Sequence, residues 1–228
     1  MKMQVHNKEK RSVVSDKKLI VRVSKKLSSV LRHGIDREGL RDCFGDDAYV
    51  PLKRVLALRK FRGVNMDQIR TVVEGNDKQR FSMAKRDGKW FIRANQGHSV
   101  AGVDAEKLLE RIEIDANAPP IFALHGTYKA VWNDIAKTGG LLKMGRQHVH
   151  LAQGMPEEGG VISGMRKSCQ LVVRVNMTSA VHRGGLVFYR SANGVILTPG
   201  LGDAGLLPIE FFESVVDRAT GKSYALPK

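Results

Sequence analysis

The sequence predicts an α+β fold in two lobes, and three observations lead there. Helical periodicity fills most of the first hundred residues, and short alternating strands dominate the remainder. The charge also changes between the halves: residues 1–100 hold 24 Lys and Arg against 11 Asp and Glu, while residues 101–228 hold 14 against 12. A chain of 228 residues can build one or two domains with real cores. Its 42% hydrophobic and 27% charged content is that of a soluble globular protein. The expected organisation is a disordered basic tail over 1–15, a helical lobe over 16–100, a linker over 101–120 and a strand-rich lobe over 121–228.

In "DKKLIVRVSKKLSSVLRHG", Ile20, Val23, Leu27, Val30 and Leu31 recur at helical spacing, and Gly34 is a suitable stop. Pro51 sits where a first helical turn tolerates it, followed by Leu52, Val55 and Leu56. A third helix carries Ile69, Val72 and Val73 on its apolar side. "QRFSMAKRDGKWFIRA" alternates on both sides of Asp87–Gly88, a strong hairpin signal. Three helices and a hairpin is the order of a winged helix.

Beyond the break at Asn117–Pro120, "IFALHG" reads as a strand and "YKAVWNDIAKTGG" as a helix, with Thr127 its expected N-cap. "HVHLA" reads as a second strand, and a Gly-rich loop then leads to the strand "CQLVVRVN". "LVFYRSANGVILTP" reads as a hairpin turning near Asn193–Gly194.

Composition excludes several classes. No run of about 18 apolar residues occurs, so no membrane span is expected. The N-terminus lacks the apolar core of a secretory signal. Cys43 and Cys169 form no paired motif, which argues against a disulfide framework or a cysteine zinc site and for an intracellular setting. A net charge of +15, almost all in the first half, favours a polyanion partner.

"GLGDAG" (200–205) imitates the dinucleotide fingerprint G-x-G-x-x-G, but that mechanism needs a helix N-terminus immediately afterwards. "LLPIEFF" comes next instead, with Pro208 where the helix should run, so the match reads as a surface loop. "GRQHVHLAQG" is more informative. If it is a strand, Arg146, His148 and His150 share one face. Two His at i and i+2 can chelate a metal, but an obligate cation beside them favours an anion such as phosphate, whose oxygens match the guanidinium fork. A half-exposed strand face remains the plain alternative. Arg32 and His33 close a helix, where cations complement its dipole. Arg80 opens the hairpin, and His125 ends a strand where a ligand could be met.

In order along the chain, "LSSVLRHG", "KQRFSM", "IRANQGHS", "LHGTY", "GRQHVHLAQG", "SGMR" and "FYRSANGVILT" resemble the RNA 2′-phosphotransferase family. The resemblance runs from the first helix to "EFFESVV" and leaves the basic tail outside. It implies a winged-helix lobe followed by an ADP-ribosyltransferase-like lobe, with the active site between them. It places an essential set on Arg32, His33, Arg80 and Arg146. It also places a site for NAD, a consumed co-substrate, on His125, Gly126, Thr127, His148, Ser163 and Asn193, with no metal. The implied substrate is RNA with an internal 2′-phosphate, such as spliced tRNA. The implied products are 2′-OH RNA, nicotinamide and ADP-ribose 1″,2″-cyclic phosphate, formed through an ADP-ribosylated RNA. The protein is expected to work as a monomer in the cytoplasm or nucleus, away from membranes. Two rival readings are an ADP-ribosyltransferase acting on nucleic-acid ends or protein, and a non-catalytic RNA-binding module.

Overall fold

The computed structural model describes residues 2–157, 164–166 and 168–227, without the side chains of 2–17 and 105–106. Helices and antiparallel sheets mix in it, an α+β protein that divides into two units, 1–104 and 105–228.

In the first unit, α1 (Lys2–His33) leads through a 3₁₀ turn at Arg41–Cys43 to β1 (Val50–Pro51) and α2 (Leu52–Ala57). A second 3₁₀ turn at Arg59–Phe61 precedes α3 (Met66–Glu74), and β2 (Phe81–Arg86) and β3 (Lys89–Ala94) form the hairpin. Asn65 and Gln68 close a capping box at the start of α3. Asp87 and Gly88 both take positive φ, 48° and 75°, as a two-residue hairpin turn requires. The sheet order is β1–β3–β2, all antiparallel. Val23, Leu27, Val30 and Leu31 of α1 are fully buried with Phe61, Ile69, Val72 and Ile92, so the expected helix faces meet one face of the sheet.

The second unit begins with α4 (Ala105–Leu108) and β4 (Glu110–Arg111). Then come β5 (Phe122–Thr127), α5 (Lys129–Lys137), β6 (Gly140–Leu142) and β7 (Val149–Leu151). β8 (Leu171–Asn176), α6 (Met177–His182), β9 (Tyr189–Arg190) and β10 (Ile196–Thr198) follow. β11 (Leu206–Pro208), a 3₁₀ turn at Ile209–Phe211 and β12 (Phe212–Asp217) complete it. Among the described residues the sheets are β12–β8–β5, β4–β9–β10–β7 and β11–β6. A bridge between Leu124 and Ala152 ties β5 to the end of β7 and so links the first two sheets. Phe188, Leu151, Leu171, Val173, Met177 and Val215 fill the core.

Four expectations differ from what is seen. Thr127 does not cap α5: it is the last residue of β5, buried and paired with Leu171, and Tyr128 is the extended N-cap. Its carbonyl accepts from the Gln170 amide, so sheet pairing claims the residue before the helix can begin. The strand in "GRQHVHLAQG" is only Val149–Leu151. Arg146 and His148 lie before it, because Met144 takes φ 55° and the Arg146 amide turns back to the Lys143 carbonyl at 3.2 Å. Arg146 is therefore not placed by strand alternation. The expected linker contains α4 and β4, and β4 pairs with β9. The expected tail 1–15 is continuous with α1 from Lys2, and it holds no Gly or Pro to break a helix.

The 200–205 loop behaves as expected. Gly200, Gly202 and Gly205 all take left-handed φ near 60–70°, and a Cβ on Gly200 would sit 2.3 Å from the Gly205 carbonyl carbon. The loop folds back into β11 instead of opening a dinucleotide-binding helix.

Phe188 is fully buried among these strands. Phe188→Ala should destabilise the second unit by about 3–5 kcal/mol, read as a shift of the urea midpoint of Trp132 fluorescence, since Trp132 lies in the same core.

Candidate functional site

The residues singled out by sequence fall in both units, and each group has its own anchoring. In the first unit Arg32 and His33 end α1, Arg32 half-buried and His33 exposed. Arg80 is half-buried just before β2. The polar segment 95–99, buried from Asn95 to His98 and exposed at Ser99, connects them. At one end the Asn95 amide donates to the Arg80 carbonyl at 2.9 Å. At the other the Ser99 amide donates to the Arg32 carbonyl at 2.9 Å, and the Ser99 hydroxyl lies 2.8 Å from His33 Nδ1. Four residue steps thus separate the two anchor points, about 14 Å at full extension.

The segment is held in turn. The Asn95 side chain donates to the Gln79 carbonyl at 2.7 Å and accepts from the Ser82 hydroxyl at 2.6 Å. The Arg80 guanidinium donates to Asn76 Oδ1 at 3.1 Å, and Asn76 donates onward to Ser24 of α1 at 3.2 Å. Burial lowers the Arg80 pKa, opposed by the nearby Asp77 carboxylate. The arginine stays charged, since its ordinary value is far above neutrality, and a partly desolvated guanidinium is short of anionic company.

In the second unit Arg146 is exposed in the turn before β7. Its pKa is lowered first by burial and then by the positive charge of Arg166. Two neighbouring cations repel, and an anion placed between them relieves that repulsion.

His148 and His125 nearby are neutral. His148 is pushed down to about 4, first by burial and second by the Lys143 ammonium, and its ring meets Tyr189 edge-on at 6.2 Å. Burial also lowers the His125 pKa. His125 Nδ1 lies 2.9 Å from the His150 carbonyl, and His150 Nδ1 lies 2.9 Å from the His148 carbonyl. Because a carbonyl only accepts, His125 Nδ1 carries the proton, and a neutral ring then bears its lone pair on Nε2. That atom suits a hydroxyl donor such as a sugar.

Gly126 allows close approach within β5: a Cβ there would lie 2.3 Å from Met165 Cγ and 2.9 Å from Cys169 Cβ. Asn193 is 1% exposed in the turn between β9 and β10 and accepts from the Ser191 hydroxyl at 2.8 Å. Sheet pairing places β5, β7 and β10 side by side, so His125, Gly126, Thr127, His148 and Asn193 belong to one sheet-linked region. Ser163 lies outside the described residues. A cleft of about 370 Å³ opens on the other face of β5, lined by Leu124, Met155, Arg174 and Arg218, and it holds none of these residues. Among the described residues no three His, Cys, Asp or Glu side chains are grouped to hold a metal. Both cysteines are free thiols.

Asn76 carries no signal in the sequence pattern, and Asn95, Ser99 and Arg166, though they lie in "IRANQGHS" and "SGMR", are not singled out there as site residues. A polar run after a strand reads as a surface loop, yet Asn95, Gln96 and His98 are at most 7% exposed.

Residues 18–200 match the profile of "RNA 2'-phosphotransferase, Tpt1 / KptA family". The chain is 46% identical over 193 residues to tRNA 2'-phosphotransferase 1 of Danio rerio, covering 84% of this chain and 83% of that protein. It is 43% identical over 208 residues to the Homo sapiens protein of the same name, covering 90% and 79%. It is 34% identical over 211 residues to the tRNA 2'-phosphotransferase of Saccharomyces cerevisiae, covering 90% and 87%.

The histidine shifts make a prediction about stability. A neutral His148 in the folded state, with its pKa depressed from 6.5 to about 4, contributes stability above pH 6.5 that is lost as pH falls toward 4. Between pH 7 and pH 5 that loss is about 2 kcal/mol for this one group. His148→Gln should flatten the fall in urea stability over the same interval.

Proposed function

The chain belongs to the RNA 2′-phosphotransferase family, and on that premise we propose that it transfers an internal RNA 2′-phosphate, as on spliced tRNA, to NAD. The single observation that carries this reading is the pinning of Arg32, His33 and Arg80 by one segment, 95–99, at the positions where the resemblance expects the essential set. Residue types alone could be coincidence. Their common anchoring is what a preorganised anion site needs.

In this reading Arg32, Arg80 and Arg146 bind the phosphate oxygens, and His33, its ring fixed by Ser99, supplies a proton or a further cation to the same group. The RNA 2′-phosphate attacks C1″ of the nicotinamide ribose, and the C1″–nitrogen bond breaks to release nicotinamide. The ribose 2″-hydroxyl then attacks phosphorus and breaks its bond to the RNA 2′-oxygen. That oxygen takes up the proton the hydroxyl loses. The products are 2′-OH RNA and ADP-ribose 1″,2″-cyclic phosphate. Charge grows on the transferring phosphoryl group, where fixed guanidinium groups stabilise it without a metal.

The second unit fits a dinucleotide substrate in its donors and acceptors. Neutral His125 offers an acceptor to a ribose hydroxyl, Gly126, Thr127, His148 and Asn193 join it in the proposed set, and Ser163 is assigned by the resemblance alone. The first unit's element order, with β1 added to the hairpin, supports a winged helix, and the linked antiparallel sheets of the second support an ADP-ribosyltransferase-like lobe. The relatives' names support tRNA as substrate. Free cysteines fit an intracellular setting, in cytoplasm or nucleus, and nothing in the proposed chemistry calls for more than one copy of the chain.

The test is a metal-free incubation with a short RNA bearing one internal 2′-phosphate, with and without NAD, followed by mass. NAD-dependent loss of phosphate with appearance of the cyclic phosphate is expected. An ADP-ribose mass left on the RNA would instead indicate a purely ADP-ribosylating enzyme, and untouched NAD a binding module. Arg146→Ala should lower turnover by at least a hundredfold, about 2.7 kcal/mol, with the urea midpoint unchanged. Arg80→Lys should lose most activity as well, because an ammonium cannot reproduce a planar fork already held by Asn76; full activity in that variant would show that charge alone suffices.

A further inference from the structure

We propose that the outward face of the β1–β3–β2 sheet is a platform for single-stranded RNA; the proposal rests on RNA being the substrate and names where its flanking strand is held. Pairing of Ser82 with Arg93, Ala84 with Phe91 and Arg86 with Lys89 puts these six residues on one face, with Pro51 opposite Phe91. Phe81, Ile92 and Ala94, of the other parity, are buried in the core with the helices. The outward residues are exposed or half-exposed throughout.

This face combines cations with rings. The Arg86 guanidinium lies 4.4 Å from the Tyr49 ring centroid and 5.6 Å from that of Phe91. Arg93 lies 4.7 Å from the Tyr49 ring. Asp47 is the carboxylate that meets them: it pairs with Arg86 at 2.7 Å, while its backbone carbonyl accepts from Arg93 at 3.2 Å. Arg86, Lys89 and Arg93 against Asp47 leave two positive charges in excess.

The occupant is set by that combination. A second copy would bring like charges together, and an acidic peptide would use the charges but leave the rings idle. A nucleic-acid duplex keeps its bases stacked inside. Unpaired RNA supplies both phosphates for the guanidinium groups and flat bases for the rings, the pairing by which single strands are held without sequence preference.

The experiment measures anisotropy of a labelled RNA of about twelve nucleotides, a length within single-strand site sizes, lacking any 2′-phosphate, as a single strand and as a duplex. The exposed pair Arg86→Gln with Lys89→Gln should weaken single-strand binding about tenfold and reduce the salt slope by about 1.4, the share of two phosphate contacts. Phe91→Leu, which keeps apolar volume, should weaken single-strand binding about fivefold with the slope unchanged and duplex binding untouched. Unaltered single-strand affinity in both variants would overturn the platform, as would equal weakening of single strand and duplex by Phe91→Leu. In parallel, a phosphate-bearing dinucleotide and a longer RNA are offered with NAD. The variants should match the wild type on the dinucleotide and show a raised KM on the longer RNA. A wild type that binds RNA but leaves the dinucleotide intact would sink the proposed reaction while leaving the platform standing.

Discussion

A buried polar group must find a partner, and in this protein that requirement fixes the candidate residues. The segment 95–99 carries three side chains that would ordinarily face water, yet from Asn95 to His98 it is buried in the first unit. It can do so because its ends are tied by backbone bonds to Arg80 and Arg32, and because Asn95 bonds to both Gln79 and Ser82. Removing any one bond leaves a buried donor or acceptor exposed to a penalty of about 1–3 kcal/mol, so the parts are mutually enforcing. The positions of Arg32, His33 and Arg80 result from that closure. The Asn76–Ser24 bond extends it to the middle of α1.

In the second unit the same requirement acts through histidines. His125 donates to the His150 carbonyl and His150 engages the His148 carbonyl, so ring orientations along β5 and β7 are set by main-chain acceptors. Burial then keeps His125 and His148 neutral. The arginines cannot escape their charge this way. Arg146 stays cationic although burial and then the charge of Arg166 lower its pKa. Neutral acceptors and obligate cations are thereby separated by residue type within one small region, the division that a sugar on one side and a phosphate on the other would need.

Much of this fold is legible in the sequence because periodicity and turn chemistry are local. α1, α2, α3 and the Asp87–Gly88 hairpin are marked by apolar spacing and by a turn that demands positive φ. The strands of the second unit are visible where they are long, as in β5 and β8, and hidden where they are short, as in β4, β6 and β11. Thr127 misleads because capping preference is a local rule, whereas its place in β5 is decided by Leu171 and Gln170, over forty positions away. The catalytic candidates are recognisable by type. What holds them is not, because Ser99 and Asn76 gain their meaning only from partners 66 and 52 residues distant.

The distribution of charge over the first unit bears on how it would meet a nucleic acid. Small helical nucleic-acid-binding modules often present a helix to the major groove, but α3 here holds Asp67 and Glu74 against Arg70, a net of −1. The net +13 of the first hundred residues, 24 cations less 11 anions, therefore resides elsewhere, on α1, the stretch from Lys53 to Arg62 and the hairpin. A helix of that sign would resist entry into a groove lined by phosphates. On the proposed platform the first unit would meet a nucleic acid by its backbone and by unpaired bases. Phosphate contacts position a strand without reading its sequence. On the proposed chemistry this is an advantage, because the feature to be recognised is an extra phosphate on a sugar, which any neighbouring sequence can carry.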